Sequence, residues 1–215
     1  MKLFFYLCLL YATTHLVASD VKLYKNFTFG LSHNEVQEMT KAYDCSNDFG
    51  KGALCQLNQS FLNHNYDVSY RFIENKLVDI LLLSEFNYEV YYTTLQKIGK
   101  KFQLIGMLSE GNTFDFIVER KKYKDTEYFN EITKFERKGL SKNDLTYIFI
   151  DKENFNNFLN QAYNMQNLIQ LSSENVREID YKIFESESRV YSMIQFTVPK
   201  KSLSLLNKTT EDEDF

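Results

Sequence analysis

Apolar and polar positions alternate most clearly at residues 66–72. Tyr, Val or Phe occupies every second position there, with Asp, Ser and Arg between them, which is typical of a strand with one face in water. Residues 74–76 supply a turn, and residues 77–83 return as a strand that is apolar on both faces except at Asp79. We therefore expect the returning strand at the centre of a sheet that is covered on both sides.

Helical spacing occurs on both sides of this hairpin. Ser32 and Glu35 fit a capping box at the start of a helix. The buried face of that helix is predicted from the spacing i, i+3 and i+7 to consist of Val36, Met39 and Tyr43. A second helix is predicted over residues 87–101, where apolar residues repeat at the same spacing.

The second half of the chain continues this mixture of elements. Strands are predicted at residues 114–118 and 145–150. A helix containing Tyr128, Ile132 and Phe135 should end near Gly139, and an amphipathic helix is predicted over 155–169. Residues 179–183 and 191–198 should form a hairpin that turns at 185–188. These elements predict an α+β fold in which antiparallel sheets pack on helices.

The order of the elements is compatible with two related α+β modules, residues 20–124 and 125–200. A polar cluster at residues 119–125 marks the boundary, although it contains neither Pro nor Gly. After Pro199 the chain becomes rich in Lys and Ser and then acidic. Residues 201–215 are therefore expected to form a disordered acidic tail.

Residues 1–19 have the pattern of a cleavable secretory signal. Lys2 precedes a run of about ten apolar residues, and small residues surround the expected cleavage position after Ala18 or Ser19. A membrane anchor is the alternative, but the run is shorter than the ~20 residues that cross a bilayer as a helix. We expect a soluble mature chain without a transmembrane segment, located in the periplasm or secreted.

Removing this signal leaves two of the three cysteines, Cys45 and Cys55. In an oxidising compartment the pair favours a disulfide, for which the chain-entropy model gives roughly 2.5–3 kcal/mol. Two free thiols or half of a metal site are the alternatives. A zinc site would require His33 and His64 to converge with both cysteines, so we expect no metal.

Charge and turn composition bear on partners and cofactors. The chain holds 29 acidic and 25 basic residues, a formal charge of −4, whereas a nucleic-acid surface needs clustered Lys and Arg. No Gly-rich turn joins a strand to a helix, so no cofactor is expected. Asn26, Asn58 and Asn207 fit the N-glycosylation pattern, but chance gives about as many matches, and their glycosylation stays open.

Two sets of polar residues are candidates for hydrolysis. Ser60, His64 and Asp67 supply the residue types of a nucleophilic triad, but no nucleophile elbow surrounds Ser60, and a polar turn is the alternative. Asp79 and Asp115 lie among apolar residues, where burial raises a carboxyl pKa and suits acid catalysis.

The structural alternative for these two carboxylates is contact with water or pairing with Arg71 or Arg120. We favour the structural alternative for both sets and expect no catalytic residue.

Aromatic residues are better candidates for binding, because Tyr supplies a large contact area at a low cost in side-chain entropy. Core packing is the alternative for each of them. The predicted binding residues are Tyr66, Tyr70, Tyr88, Tyr91 and Tyr92.

Residues 27–83 contain a series of short motifs in a fixed order: Phe29-Gly30-Leu31-Ser32, Glu35-Val36, a Cys loop, Tyr70-Arg71-Phe72, Asn75-Lys76-Leu77 and Ile80. This order resembles the small envelope modules of the β-lactamase-inhibitor-protein type and the small lipoprotein of the outer-membrane assembly machine. The chain lacks their Gly-x-Pro after the first helix and their lipid-attachment cysteine. The resemblance implies a sheet packed on helices that binds proteins or envelope components without catalysis.

These observations predict an exported, non-catalytic protein that binds another protein, such as an inhibitor or immunity protein or an envelope accessory factor. A secreted hydrolase that uses acidic residues and a carrier of a small apolar ligand are the alternatives. The oligomeric state stays open.

Overall fold

A computed structural model of the chain describes residues 21–212, with side chains to residue 207. The predicted signal segment, residues 1–19, lies outside the described residues. The described part contains eight helices, a two-stranded sheet and a nine-stranded antiparallel sheet, which confirms the predicted α+β class. None of these helices is long and apolar enough to span a bilayer.

The elements follow one another in this order: β1 Lys22–Tyr24, β2 Phe27–Thr28, α1 His33–Thr40, β3 Tyr43–Asp44, α2 Ser46–Phe49, β4 Leu54–Phe61, β5 His64–Ile73, β6 Lys76–Glu85, α3 Tyr88–Lys101, β7 Phe102–Ser109, β8 Asn112–Asp115, α4 Phe116–Lys122, α5 Asp125–Ser141, β9 Asp144–Asp151, α6 Lys152–Phe158, α7 Met165–Leu171, β10 Glu178–Ser186, β11 Arg189–Thr197 and α8 Pro199–Asp212.

The large sheet has the strand order β3-β4-β5-β6-β11-β10-β9-β7-β8. Strands from both predicted modules share this one sheet, because β11 pairs with β6 and β9 pairs with β7. The polar cluster at residues 119–125 lies between α4 and α5 and does not separate two sheets. The modules are thus joined through continuous backbone hydrogen bonding.

The predicted hairpin supplies the third and fourth of the nine strands and lies in the interior of this sheet. Glu74 and Asn75 adopt positive φ angles of 48° and 62°, which close the turn between β5 and β6. Strand β6 is buried on both faces, and Leu77, Ile80 and Leu82 are fully buried. This confirms that the apolar returning strand is central.

Helix α1 begins at the predicted capping box, because the Ser32 hydroxyl accepts from the Glu35 amide and the Glu35 carboxylate accepts from the Ser32 amide. Its predicted buried face is wrong beyond Val36. Lys41 adopts a left-handed conformation that ends the helix, so Tyr43 belongs to β3 instead, and Met39 is exposed.

Apolar layers cover both faces of the sheet. One layer holds α3 and α5 against residues such as Tyr147, Phe149 and Tyr181. The other holds α6 and α7 against Ile148 and Ile150. The helices therefore fix the sheet from both sides, and α3 lies on the face opposite α6 and α7.

Two boundaries differ from the sequence prediction because asparagine and aspartate side chains start helices. The strand predicted at 114–118 ends at Asp115, whose carboxylate accepts from the amides of Ile117 and Val118 and begins α4. The helix predicted over 155–169 is divided into α6 and α7, and the Asn164 side chain caps α7.

Residues 201–215 were predicted as a disordered tail, but most of this segment belongs to a helix. Residues 199–212 form α8, while residues 213–215 lie outside the described part. Leu205 is buried, and the Lys200 ammonium donates to the carbonyls of Gln170 and Ser172 at 3.1 and 3.0 Å. These contacts offset the polar composition that suggested disorder.

Candidate binding surface on helix α3

The structure divides the five predicted binding tyrosines into two groups. Tyr66, Tyr70 and Tyr91 are only 1–2% exposed, whereas Tyr88 and Tyr92 are 61% and 64% exposed. The prediction is wrong for the first three, because the even positions of β5 and one face of α3 pack into the core. Tyr88 and Tyr92 alone of the five lie on the surface.

Helix α3 holds the two exposed tyrosines on a firmly capped segment. The Asn87 side chain accepts from the amides of Glu89 and Val90 at 2.9 and 3.1 Å. At the other end, the Lys152 ammonium donates to the carbonyl of Gly99 at 2.7 Å. Both ends of the helix thus have partners for backbone groups that helix formation leaves free.

Tyr88 and Tyr92 are four residues apart and therefore share one face of the helix. The Tyr88 ring packs edge-on against Phe86, with ring centroids 4.9 Å apart. Tyr92 packs in the same way against Tyr91, also at 4.9 Å. These neighbours restrict both rings while leaving more than half of each side chain in water.

A buried polar network anchors α3 beneath this surface. The Tyr91 hydroxyl lies 2.5 Å from the Tyr147 hydroxyl, and both donate to the Glu136 carboxylate of α5. Burial is the main cause that raises the pKa of Tyr91 and of Tyr147. Both hydroxyls therefore stay protonated and can donate. Glu136 was not predicted, because its position on α5 carries no local signal in the sequence.

A polar cleft of about 330 Å³ flanks the first turns of α3. It lies against the β4–β5 turn at Leu62 and Asn63, and its polar groups include His64, Asn87 and Glu89. Exposed aromatic rings and polar hydrogen-bonding groups, here on the same helix, are typical of a protein interface. The cleft and the two tyrosines together form the α3 surface.

The predicted disulfide is present in the described part of the chain. The Cys45 and Cys55 sulfurs are 2.08 Å apart, with Cα atoms at 5.8 Å. The bond closes the loop that contains α2 and connects it to β4. The two histidines do not join it, since His33 packs against Phe72 and His64 against Tyr66. Among the described residues, no three His, Cys, Asp or Glu side chains group as metal ligands would.

Asp79, a candidate acid catalyst, is held in an ion pair. Arg71 donates to both carboxylate oxygens of Asp79 at 2.6 and 2.5 Å, and Gln195 donates at 3.3 Å. Burial raises the pKa of Asp79, and the Arg71 charge opposes that shift. Asp79 is therefore paired with Arg71, as the structural alternative predicted.

Asp115 is used at helix starts and is remote from Asp79. Besides capping α4, its carboxylate accepts from the Met165 amide at 2.8 Å. Four strands separate β6 from β8, which puts the two carboxylates about 24 Å apart across the sheet. They therefore do not form a catalytic pair.

The triad candidate is not assembled either. The Asp67 carboxylate accepts from the Asn58 amide at 3.0 Å, across the bulge of β4. Among the described residues, no hydrogen bond joins Ser60, His64 and Asp67. The polar-turn alternative fits this part of the hairpin.

Glu178 and Asp180 are carboxylates that the sequence analysis missed. They lie on one face of β10, where Glu178 pairs across the sheet with Thr197 and Asp180 with Gln195. Their partners on β9 are Ile150 and Ile148, which pack with residues of α6 and α7, so this face is covered. Burial raises the pKa of both carboxyls, and the Asp180 charge adds to the shift at Glu178. No local motif marks this pair, because its burial depends on the distant helices α6 and α7.

Comparison with protein-family models, curated proteins and solved structures finds no match. The resemblance of residues 27–83 to envelope modules therefore stays a prediction.

Proposed function

We propose that this chain is an exported, non-catalytic protein that binds a protein partner through the α3 surface. The observation that carries the proposal is the exposure of Tyr88 and Tyr92, side by side on a helix whose other face is buried. An inhibitor or immunity protein and an envelope accessory factor are the forms that this function can take.

Preorganisation supports this use of the α3 surface. An interface loses affinity when it must order side chains and loops on binding, and rigid aromatic anchors reduce that cost. The α3 tyrosines pack on neighbouring rings, and their helix is capped and linked to α5 through Tyr91 and Glu136. A partner would meet a surface that already holds its binding geometry.

The disulfide supports the export part of the proposal, because such bonds persist mainly in oxidising compartments. The engaged carboxylates support the non-catalytic part. Asp79 is paired with Arg71, and Asp115 caps a helix, so both have structural roles that account for their positions.

The proposal is tested by capture of partners from the native compartment with three forms of the chain. Tyr88→Ala/Tyr92→Ala removes the exposed rings and leaves the core intact. Tyr163→Ala is the matched control, because Tyr163 is equally exposed, at 64%, next to α6 and α7 on the opposite face of the sheet.

We expect one specific partner to be recovered with the wild type and with Tyr163→Ala. The double α3 variant should bind it at least thirty-fold more weakly, roughly the effect of losing 2 kcal/mol at an interface hot spot. Equal affinity of the double variant for that partner would refute the proposed site.

A further inference from the structure

A second concave site lies at the edge of the sheet, away from the residues of the α3 surface. It is a pocket of about 490 Å³ between α4, α6 and the first half of β7. This volume falls within the range of small-molecule sites, roughly 300–1,000 Å³. The pocket shares no residue with the α3 surface.

Strand pairing explains why the pocket exists. Strand β8 pairs with β7 only along residues 106–109. Asp115 then starts α4, so the chain leaves the sheet before it can cover residues 102–105. Gln103 and Leu104 in this uncovered half of β7 line the pocket.

Both apolar layers of the protein contribute walls to the pocket. Leu104, Phe116 and Tyr128 belong to the layer that contains α3 and α5. Phe155 and Leu159 belong to the layer that contains α6 and α7. The pocket is therefore an apolar recess at the place where the two layers meet around the edge of the sheet.

The recess is lined by two cationic side chains. Arg120 and Lys121 of α4 line it, and no Asp or Glu is among the described residues that do so. The Arg120 guanidinium lies over the Tyr128 ring, 5.0 Å from its centroid, which orients its planar donors. Arg120 also contacts Asp125 at 2.6 Å, but that carboxylate is 78% exposed, and such pairs contribute little.

We propose that this pocket binds a single-chain anionic amphiphile, with its apolar chain against Leu104, Phe155 and Leu159 and its carboxylate at Arg120 and Lys121. Apolar walls stabilise the chain by removing it from water. The two cations form charge-assisted hydrogen bonds with the carboxylate. This binding is a separate activity from capture of a protein at α3.

The test is calorimetric titration of the purified full chain with dodecanoate below its critical micelle concentration. Dodecyltrimethylammonium has the same chain with the opposite charge and serves as the comparison ligand. Arg120→Gln/Lys121→Gln removes both cations, and Lys121→Gln alone keeps the stacking of Arg120 on Tyr128. Lys122→Gln is the matched control, because Lys122 is on the same helix but contacts Glu119 outside the pocket.

We expect the wild type to bind one dodecanoate saturably. The double variant should bind it about ten-fold more weakly, and Lys121→Gln should lose an intermediate amount of affinity. The affinity of Lys122→Gln should equal that of the wild type. The trimethylammonium ligand should bind at least ten-fold more weakly than dodecanoate. Leu159→Ala should weaken both ligands, because it removes part of the apolar wall. The absence of dodecanoate binding, or equal binding of the two ligands, overturns the proposal.

Discussion

Asp79 shows how far a single residue could be understood from the sequence. Its place in an apolar strand correctly indicated burial, and Arg71 was one of two named partners. Arg71 and Asp79 are directly opposite each other on β5 and β6, so the hairpin register itself brings the charges together. Removing the partner of a buried carboxylate is costly, because an unpaired charge then stays in the protein interior.

Arg71→Leu should therefore destabilise the protein by about 2 kcal/mol at pH 8, below the usual cost for fully buried pairs because Arg71 is 37% exposed. Burial already raises the pKa of Asp79, and losing Arg71 raises it further. The folded state then holds the proton more tightly than the unfolded chain, so stability falls as pH rises through the raised pKa.

Urea unfolding at pH 4, 6 and 8 measures this effect. The deficit of Arg71→Leu should shrink toward pH 4, where Asp79 is protonated. Arg189→Leu is the control, since its ion pair with Glu85 is exposed and should contribute less than 1 kcal/mol. A deficit that does not depend on pH would contradict the assignment.

Elements were predictable where the signal is local. The β5–β6 hairpin, α3 and the β10–β11 hairpin each have their own periodicity and turn residues, and all three form as expected. The alternation of Phe114, Phe116 and Val118 is typical of a strand. The strand nevertheless ends at Asp115, whose side chain caps helix α4. Burial of Tyr66, Tyr70 and Tyr91 depends on which face of the sheet the helices cover. A short segment of sequence does not predict that face.

The contact between α3 and α5 predicts how substitution of Glu136 changes the stability of the protein. Glu136→Leu should destabilise the protein by about 1–3 kcal/mol, because the buried Tyr91 and Tyr147 side chains lose their half-buried acceptor. Glu136→Gln keeps an acceptor oxygen and should cost less. Thermal unfolding measures both, with Glu131→Gln on the same helix as a control that should stay within about 0.5 kcal/mol. A Glu136→Leu variant as stable as the control would show that the network is not important.

At the scale of the whole molecule, pairing between distant parts of the chain decides the architecture. The β6–β11 and β7–β9 pairings join the predicted modules into one sheet, and neither has a local signature in the sequence. Docking of α8, through Leu205 and Lys200, has no local signature either. The amphiphile pocket also arises at this scale, where two apolar layers meet beside an incompletely paired strand.

The disulfide gives a prediction for the stability of the whole chain. Cys45→Ser/Cys55→Ser should lower the free energy of unfolding by roughly 2.5–3 kcal/mol, because the bond restricts the unfolded chain. Denaturant unfolding with and without dithiothreitol measures the loss. The wild type should be destabilised by the reductant and the double variant should not respond. A wild type that ignores complete reduction would contradict this account.

The most direct test of the proposed function places a photo-crosslinking amino acid at position 92 of α3 and, in a parallel form, at position 163. Both chains are expressed in the native host and irradiated in the compartment that they reach. We predict one discrete crosslinked protein from position 92 and none of it from position 163. The same product from both positions, or none from position 92, would contradict binding through the α3 surface.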